Sequence, residues 1–231
     1  GYNVQAAVDT EHHLIVAHEV TNAGSDRRQL TRMAEQAKSA LSVDEISVVA
    51  DRGYYRNLEL KACEEAGITT YVPNSSTSPN KALGKFDRSV FRYIAADDEY
   101  ECPAGQRMAR RLTSEEKGMT LHRYWSDQCG GCALKAQCTT GKHRRMTRWE
   151  HEAVKDRART RLERSADMMR RRRATVEHPF GTLKAWMGST HFLTRTLPQV
   201  STEMSLHVLA YNMKRMMNIV GTKPLIEAIQ G

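Results

Sequence analysis

Apolar and polar residues alternate from the start of the chain. Tyr2 to Val8 and Leu14 to Val20 are short β-prone runs, and the polar stretch Asp9, Thr10, Glu11, His12 and His13 between them predicts an antiparallel pair. The period then changes. Leu30, Met33, Ala34, Ala37 and Leu41 fall at helical spacing, which predicts a helix of about four turns, with Ser25 or Asp26 available to cap it. Glu45 to Ala50 is a nearly continuous apolar run that stops at Asp51, Arg52 and Gly53, the pattern of a buried strand. A second helix over 57–66, closed by Gly67, leads to a short strand at 69–72. The order strand, strand, helix, strand, helix, strand predicts an α/β sheet with one antiparallel edge.

Regularity breaks at Pro73. The run Asn-Ser-Ser-Thr-Ser-Pro-Asn over 74–80 reads as a loop, and short alternating pieces surround four cysteines up to about Thr140, which predicts an insertion. Helical spacing resumes at Arg148, passes through Ala153, Ala158, Leu162 and Ala166, and persists to Trp186, with Pro179 marking a start or a kink. The last helix, 202–220, has a broad apolar face made by Met204, Leu206, Val208, Leu209, Met213, Met216, Met217 and Val220, suited to a core or a dimer seam. The expected organisation is a core at 1–72, a Cys-rich insertion at 73–147, a helical return of the core at 148–220 and a tail at 221–231.

Charge adds location to this picture. The 231 residues carry 35 Lys plus Arg against 27 Asp plus Glu, a formal charge of +8, and a basic excess suits a polyanionic partner. Between Lys142 and Arg173 stand 13 basic and 5 acidic residues, a surplus of 8, whereas the rest of the chain balances 22 against 22. The surplus leads into Arg170, Arg171, Arg172 and Arg173. No apolar run approaches the roughly 20 residues that cross a bilayer, and five cysteines, an odd number, do not form a secreted disulfide framework. We expect a cytoplasmic, nucleoid-associated protein with no membrane partner. Because the chain enters a strand pattern at Gly1, we also expect it to be part of a longer protein with further amino-terminal sequence.

Asp9 follows one predicted strand and Asp51 another, so the two carboxylates can share a site. Acidic groups that close repel unless a cation lies between them, and hard oxygen ligands suit Mg²⁺ or Mn²⁺. Glu177, within Arg173-Ala-Thr-Val-Glu177-His-Pro-Phe-Gly-Thr-Leu-Lys184, offers a third carboxylate among cations that can hold a phosphodiester. The plain readings are that an Asp after a strand is a turn residue and that an Arg run is a solvated helix face.

Four segments resemble the DDE transposases of bacterial insertion sequences: Gly1-Tyr-Asn-Val-Gln-Ala-Ala-Val-Asp9, His13-Leu-Ile-Val-Ala-His-Glu-Val-Thr-Asn22, Val49-Ala-Asp51-Arg-Gly-Tyr54 and Val176-Glu177-His-Pro-Phe-Gly-Thr-Leu-Lys184. Arg170 stands where related families often carry a Tyr. The resemblance implies an RNase H-like mixed sheet flanked by helices, with the Cys-rich insertion before the last catalytic helix. It also implies Asp9, Asp51 and Glu177 as a Mg²⁺-binding triad, with Asp26 in reserve for the first position, and Arg173 and Lys184 on DNA near the scissile phosphate. The activity implied is strand cleavage and strand transfer on transposon ends and target DNA. The alternatives are a DNA-binding remnant that no longer cuts and a nuclease of the same fold. Joining two ends favours a homodimer.

Cys102, Cys129, Cys132 and Cys138 lie in Cys-Pro-Ala-Gly and Cys-Gly-Gly-Cys-Ala-Leu-Lys-Ala-Gln-Cys. A Cys-x₂-Cys knuckle can turn both thiolates toward one tetrahedral ion, which makes the four a candidate structural Zn²⁺ set, with His122 and His143 as substitutes. The other readings are packed thiols, or redox or disulfide chemistry. Cys63, among Leu58, Leu60 and Ala62, reads as core, and His12, His13 and His18 as turn and strand residues.

Overall fold

The computed structural model describes residues 1–74, 79–188 and 190–230. Most of the 74–80 loop therefore lies outside the described residues. The chain divides into two compact units, one formed by Gly1–Ser75 with Val154–Gly231 and the other by Ser76–Ala153.

In the first unit, β1 (Asn3–Val8) and β2 (Ile15–Thr21) pair antiparallel, with a register shift between Ala7 and Val8. Period-two alternation gives the ribbon two characters. Val4, Ala6 and Val8 pack with Ile15 and Val20 into an apolar cluster, while Asn3 and Gln5 point to the other face. A 3₁₀ turn at Asp26–Arg28, capped by the Ser25 hydroxyl on Arg27 N at 3.4 Å, precedes α1 (Leu30–Leu41). The predicted cap thus serves the turn before the helix. Next come β3 (Ile46–Val49), a 3₁₀ turn at Arg52–Tyr54, α2 (Asn57–Glu65) and β4 (Ile68–Tyr71). Gly67, at φ +71°, takes the left-handed conformation that closes α2. Strands β3 and β4 pair in parallel, joined through α2 as a βαβ connection requires. Leu30 and Ala34 of α1, Leu60 and Cys63 of α2, and Ile68 and Val72 form the core beside them. The single sheet predicted for this region is found as two separate ribbons, β1–β2 and β3–β4, among the described residues.

The second unit is more regular than its sequence pattern predicts. After α3 (Pro79–Ala82), β5 (Arg92–Ile94), β6 (Glu99–Glu101), β7 (Arg107–Glu116), β8 (Met119–Trp125) and β9 (Met146–Trp149) form an antiparallel sheet in sequence order. The β7–β8 turn places Lys117 at φ +53° and Gly118 at φ +75°, the positive pair that a two-residue hairpin demands. Between β8 and β9 the chain forms a 3₁₀ turn at Asp127–Gly131 and α4 (Lys135–Cys138). Phe91, Tyr100, Met108, Tyr124 and Met146 make its small core. Arg148, expected to begin a helix, lies in β9. Its sheet pairing with His122 outweighs the helical spacing downstream.

Helices α5 (Glu152–Arg164), α6 (Met168–Gly181), α7 (Leu197–Val220) and α8 (Thr222–Gln230) follow. From α5, Val154 and Ala158 join the α1–α2 core, and Arg157 pairs with Glu64. Pro179 lies inside α6, and a π-helical stretch at Thr182–Trp186 follows it. A proline has no N–H for the helical ladder, so a change of helical pitch just after it has a local cause. On α7, Val200, Met204, Val208 and Tyr211 are buried against the β1–β2 ribbon, whereas Leu206, Leu209, Met213 and Met217 are exposed. The broad apolar face is therefore half core and half surface.

Candidate active site

The polar face of β1 builds one side of the site. Gln5 is only 2% exposed, so each end of its amide requires a partner. Its Nε2 donates to Asn3 Oδ1 at 2.9 Å and to Asp26 Oδ1 at 2.7 Å, and its Oε1 accepts from the Tyr54 hydroxyl. Asn3 Nδ2 also donates to Asp26 Oδ1, at 2.7 Å. Two amides thus hold one oxygen of Asp26 and leave the other to face the turn after β3.

Asp51 supplies the opposite side. It caps the 3₁₀ turn, with Oδ1 accepting from Gly53 N at 2.7 Å. A Cβ at Gly53 would lie 2.9 Å from Asp51 Oδ1 and 3.7 Å from Asp26 Oδ2, so the two carboxylates meet across a residue that has no side chain. Asp51 Oδ2 accepts from Arg172 Nη2 at 2.9 Å. Tyr54, beside both acids, is pushed up to about 12, first by burial and then by the charges of Asp26 and Asp51, against which Arg172 works.

Helix α6 sorts its arginines by face. Arg172 shares a stripe with the buried Thr175 and Pro179, at i+3 and i+7, and is turned in toward Asp51. Arg170, Arg171 and Arg173 are exposed. Arg173 stands 4.0 Å from Glu177 one turn on, and the Glu177 side chain is 72% exposed. Lys184 is exposed on the π-helical stretch. Of the predicted DNA-contacting set, Arg172 is turned in toward Asp51, whereas Arg171 and Arg173 pair with acids one turn away, Asp167 and Glu177.

Asp9 lies elsewhere. It sits at the β1–β2 turn, where Oδ2 accepts from His12 N at 2.5 Å and lies 3.4 Å from His12 Nδ1. It stands four positions from Gln5, about 13 Å of extended chain. Helix α6 also reaches this turn. The His13 and His178 rings lie 5.1 Å apart, and His178 Nδ1 is 2.9 Å from the Tyr211 hydroxyl, which donates to His13 O. Among the described residues, no three His, Cys, Asp or Glu side chains form a group able to hold a metal ion. The structure brings Asp26 toward Asp51 across Gly53 and places Asp9 at the β1–β2 turn and Glu177 on the exposed face of α6. The sequence reading misses Asn3, Gln5, Tyr54 and the inward role of Arg172. The available signal is the polar alternation of Asn3 and Gln5 within an otherwise apolar strand.

A model of the transposase DDE domain matches residues 1–213. The chain belongs to this family. No curated protein and no solved structure matches the sequence. Membership supports a transposase function in general and implies DNA as the substrate. Among the described residues no helix of this transposase-family chain is long and apolar enough to cross a membrane.

In the second unit, Cys102, Cys129, Cys132 and Cys138 all line one cavity of about 30 Å³. All are free thiols, as is Cys63. His122 Nδ1 lies 3.0 Å from Thr113 Oγ1 and His143 Nδ1 lies 3.1 Å from Ser126 O, and neither ring lines that cavity. Cys63 is fully buried and its thiol is pushed up to about 11, chiefly by burial, as befits a core residue.

Proposed function

We propose that the chain is the catalytic part of an insertion-sequence transposase that cuts DNA and joins strands with the help of a divalent cation, centred on Asp51. The observation that supports this most is the approach of Asp26 and Asp51 across Gly53. Two carboxylates with hard oxygens fit Mg²⁺ or Mn²⁺, which commonly takes one or two protein carboxylates and fills its remaining positions with water and substrate phosphate. In this reading Asp26 and Asp51 hold the cation, and Glu177 on α6 is the third carboxylate. When bound, the cation supplies Lewis-acid stabilisation of the charge that builds on the phosphate oxygens.

The chain's own residues do the rest. Asn3 and Gln5 fix the rotamer of Asp26, and Gly53 N fixes Asp51. Arg172 neutralises the pair until the cation and DNA arrive. Arg170, Arg171, Arg173 and Lys184, exposed around Glu177, hold backbone phosphates and orient the scissile bond. Strand joining acts on two ends, so the working form in this proposal is a homodimer on transposon ends and target. A second reading, a DNA-binding remnant without cleavage, takes its support from Arg172, which already occupies one oxygen of Asp51.

Single substitutions in a Mg²⁺-dependent cleavage and strand-transfer assay separate these readings. Asp51→Asn and Asp26→Asn are each expected to abolish cleavage and leave DNA binding intact or tighter, because a charge that repels phosphate is removed. Asp9→Asn is expected to retain cleavage. Loss of activity in Asp9→Asn with full activity in Asp26→Asn would restore Asp9 as the first carboxylate, and wild-type binding without cleavage would establish the remnant.

A further inference from the structure

The four cysteines of the second unit come from three separate supports. Cys102 opens the β6–β7 turn, where its N–H donates to Gln106 O at 3.0 Å and its carbonyl accepts from Gly105 N at 2.8 Å, with Gly105 at φ +74°. Cys129 lies in the 3₁₀ turn that Ser126 caps, and Cys132 ends that turn in extended conformation. Cys138 is the last residue of α4. Although up to 36 positions separate them in the sequence, all four side chains line the same small cavity. Among the described residues its walls carry no carboxylate and no imidazole, so its metal-binding donors are thiols. Arg144 and Lys135 line it as well.

We propose that Cys102, Cys129, Cys132 and Cys138 form a tetrahedral Zn²⁺ site that staples the 76–153 unit. Soft thiolate ligands select zinc over the hard cations suited to Asp26 and Asp51, and four of them fill a structural site with no open position. A volume of about 30 Å³ accommodates one ion with its ligands drawn inward. Binding converts four thiols and Zn²⁺ into a complex of charge −2 and releases four protons to solvent. Arg144, whose Nη1 donates to Cys138 O at 3.4 Å, and Lys135 offset that charge. Among the described residues the four sulfurs do not yet form a group able to hold a metal ion, so binding has to draw them together across the cavity. The unit has cause to need it: its buried cluster rests on Phe91, Tyr100, Met108, Tyr124 and Met146, and small scaffolds require a staple.

The full chain, purified without chelator or added metal, is expected to carry about one zinc per molecule by elemental analysis. The Cys129→Ser, Cys132→Ser double variant should carry none. Should that variant fail to fold, wild-type protein reloaded with Co²⁺ supplies an independent readout: intense tetrahedral and sulfur-to-cobalt charge-transfer bands. In the native protein the four thiols should resist a thiol reagent until a zinc chelator is added. Metal-free protein whose four thiols react at once, a Cys129–Cys132 disulfide, iron in place of zinc, or an octahedral cobalt spectrum would each overturn the site.

Discussion

Gln5 serves three partners from inside the fold, and two of them belong to the acidic site. Replacing it with Leu would leave the Tyr54 hydroxyl without its buried acceptor and one oxygen of Asp26 held by Asn3 alone. Such an orphaned group costs about 1–3 kcal/mol. Gln5→Leu is therefore expected to lower the unfolding free energy in urea by that amount and, by loosening Asp26, to reduce cleavage as well. Tyr54 has a separate signature in pH. Its folded value near 12 stands above the ordinary 10.0, so its protonated form is favoured by folding. The resulting stability is fully present below pH 10 and is lost as pH rises toward 12. Wild-type protein should accordingly lose more stability across that window than Tyr54→Phe, by denaturation at each pH. Equal losses would mean that the phenol is not held as described. The sequence marks Asp51 through the apolar run that stops at it, but nothing local distinguishes Asp9 from Asp26 as its neighbour. That choice follows from the Asn3 and Gln5 amides reaching across 21 or more positions to Asp26.

At the level of elements, α7 secures the β1–β2 ribbon through polar interactions as well as its buried stripe. Asn212 takes both backbone groups of Ile15, accepting from N at 3.0 Å and donating to O at 2.9 Å. Arg215 Nε donates to His12 O at 3.0 Å and Tyr211 to His13 O at 2.7 Å. Asn212→Ala removes the Ile15 pair and is expected to cost about 1–3 kcal/mol in chemical denaturation. It should also speed amide exchange at Ile15, whereas unchanged exchange would show that the ribbon does not depend on α7. Most helices of the first unit are legible in the sequence because their apolar spacing is regular. The β5–β9 sheet is not, since its strands carry charged residues on long exposed stretches such as Arg107–Glu116 and the pairing, not the pattern, holds them.

Across the whole molecule, the basic surplus between Lys142 and Arg173 crosses the division between the two units. Part of it is already committed within the fold. Arg144, Arg145 and Arg148 lie over the rings of Phe91, Trp125 and Tyr93, and Arg157 and Arg159 pair with acids of the first unit. The part left for DNA in our reading is the outward face of α6 and the stretch after it. Replacing Arg170, Arg173 and Lys184 with Ala should reduce the logarithmic salt slope of DNA binding by about 0.9 for each phosphate no longer neutralised. Arg172→Ala should leave that slope nearly unchanged, because its guanidinium is committed to Asp51. A drop as large as that of an exposed arginine would place Arg172 on phosphate instead.

The sequence by itself determined most local elements of the first unit, the Asp51 turn, the series Arg173, Glu177 and Lys184, the family and the cysteine set, because each is written in short-range spacing. Tertiary structure decided which carboxylate meets Asp51, which arginine turns inward, and that four cysteines from three separate supports line one cavity. Those outcomes depend on how strands and helices face one another across tens of residues, and burial, which requires every inward polar group to find a partner, selects among arrangements that spacing leaves equivalent.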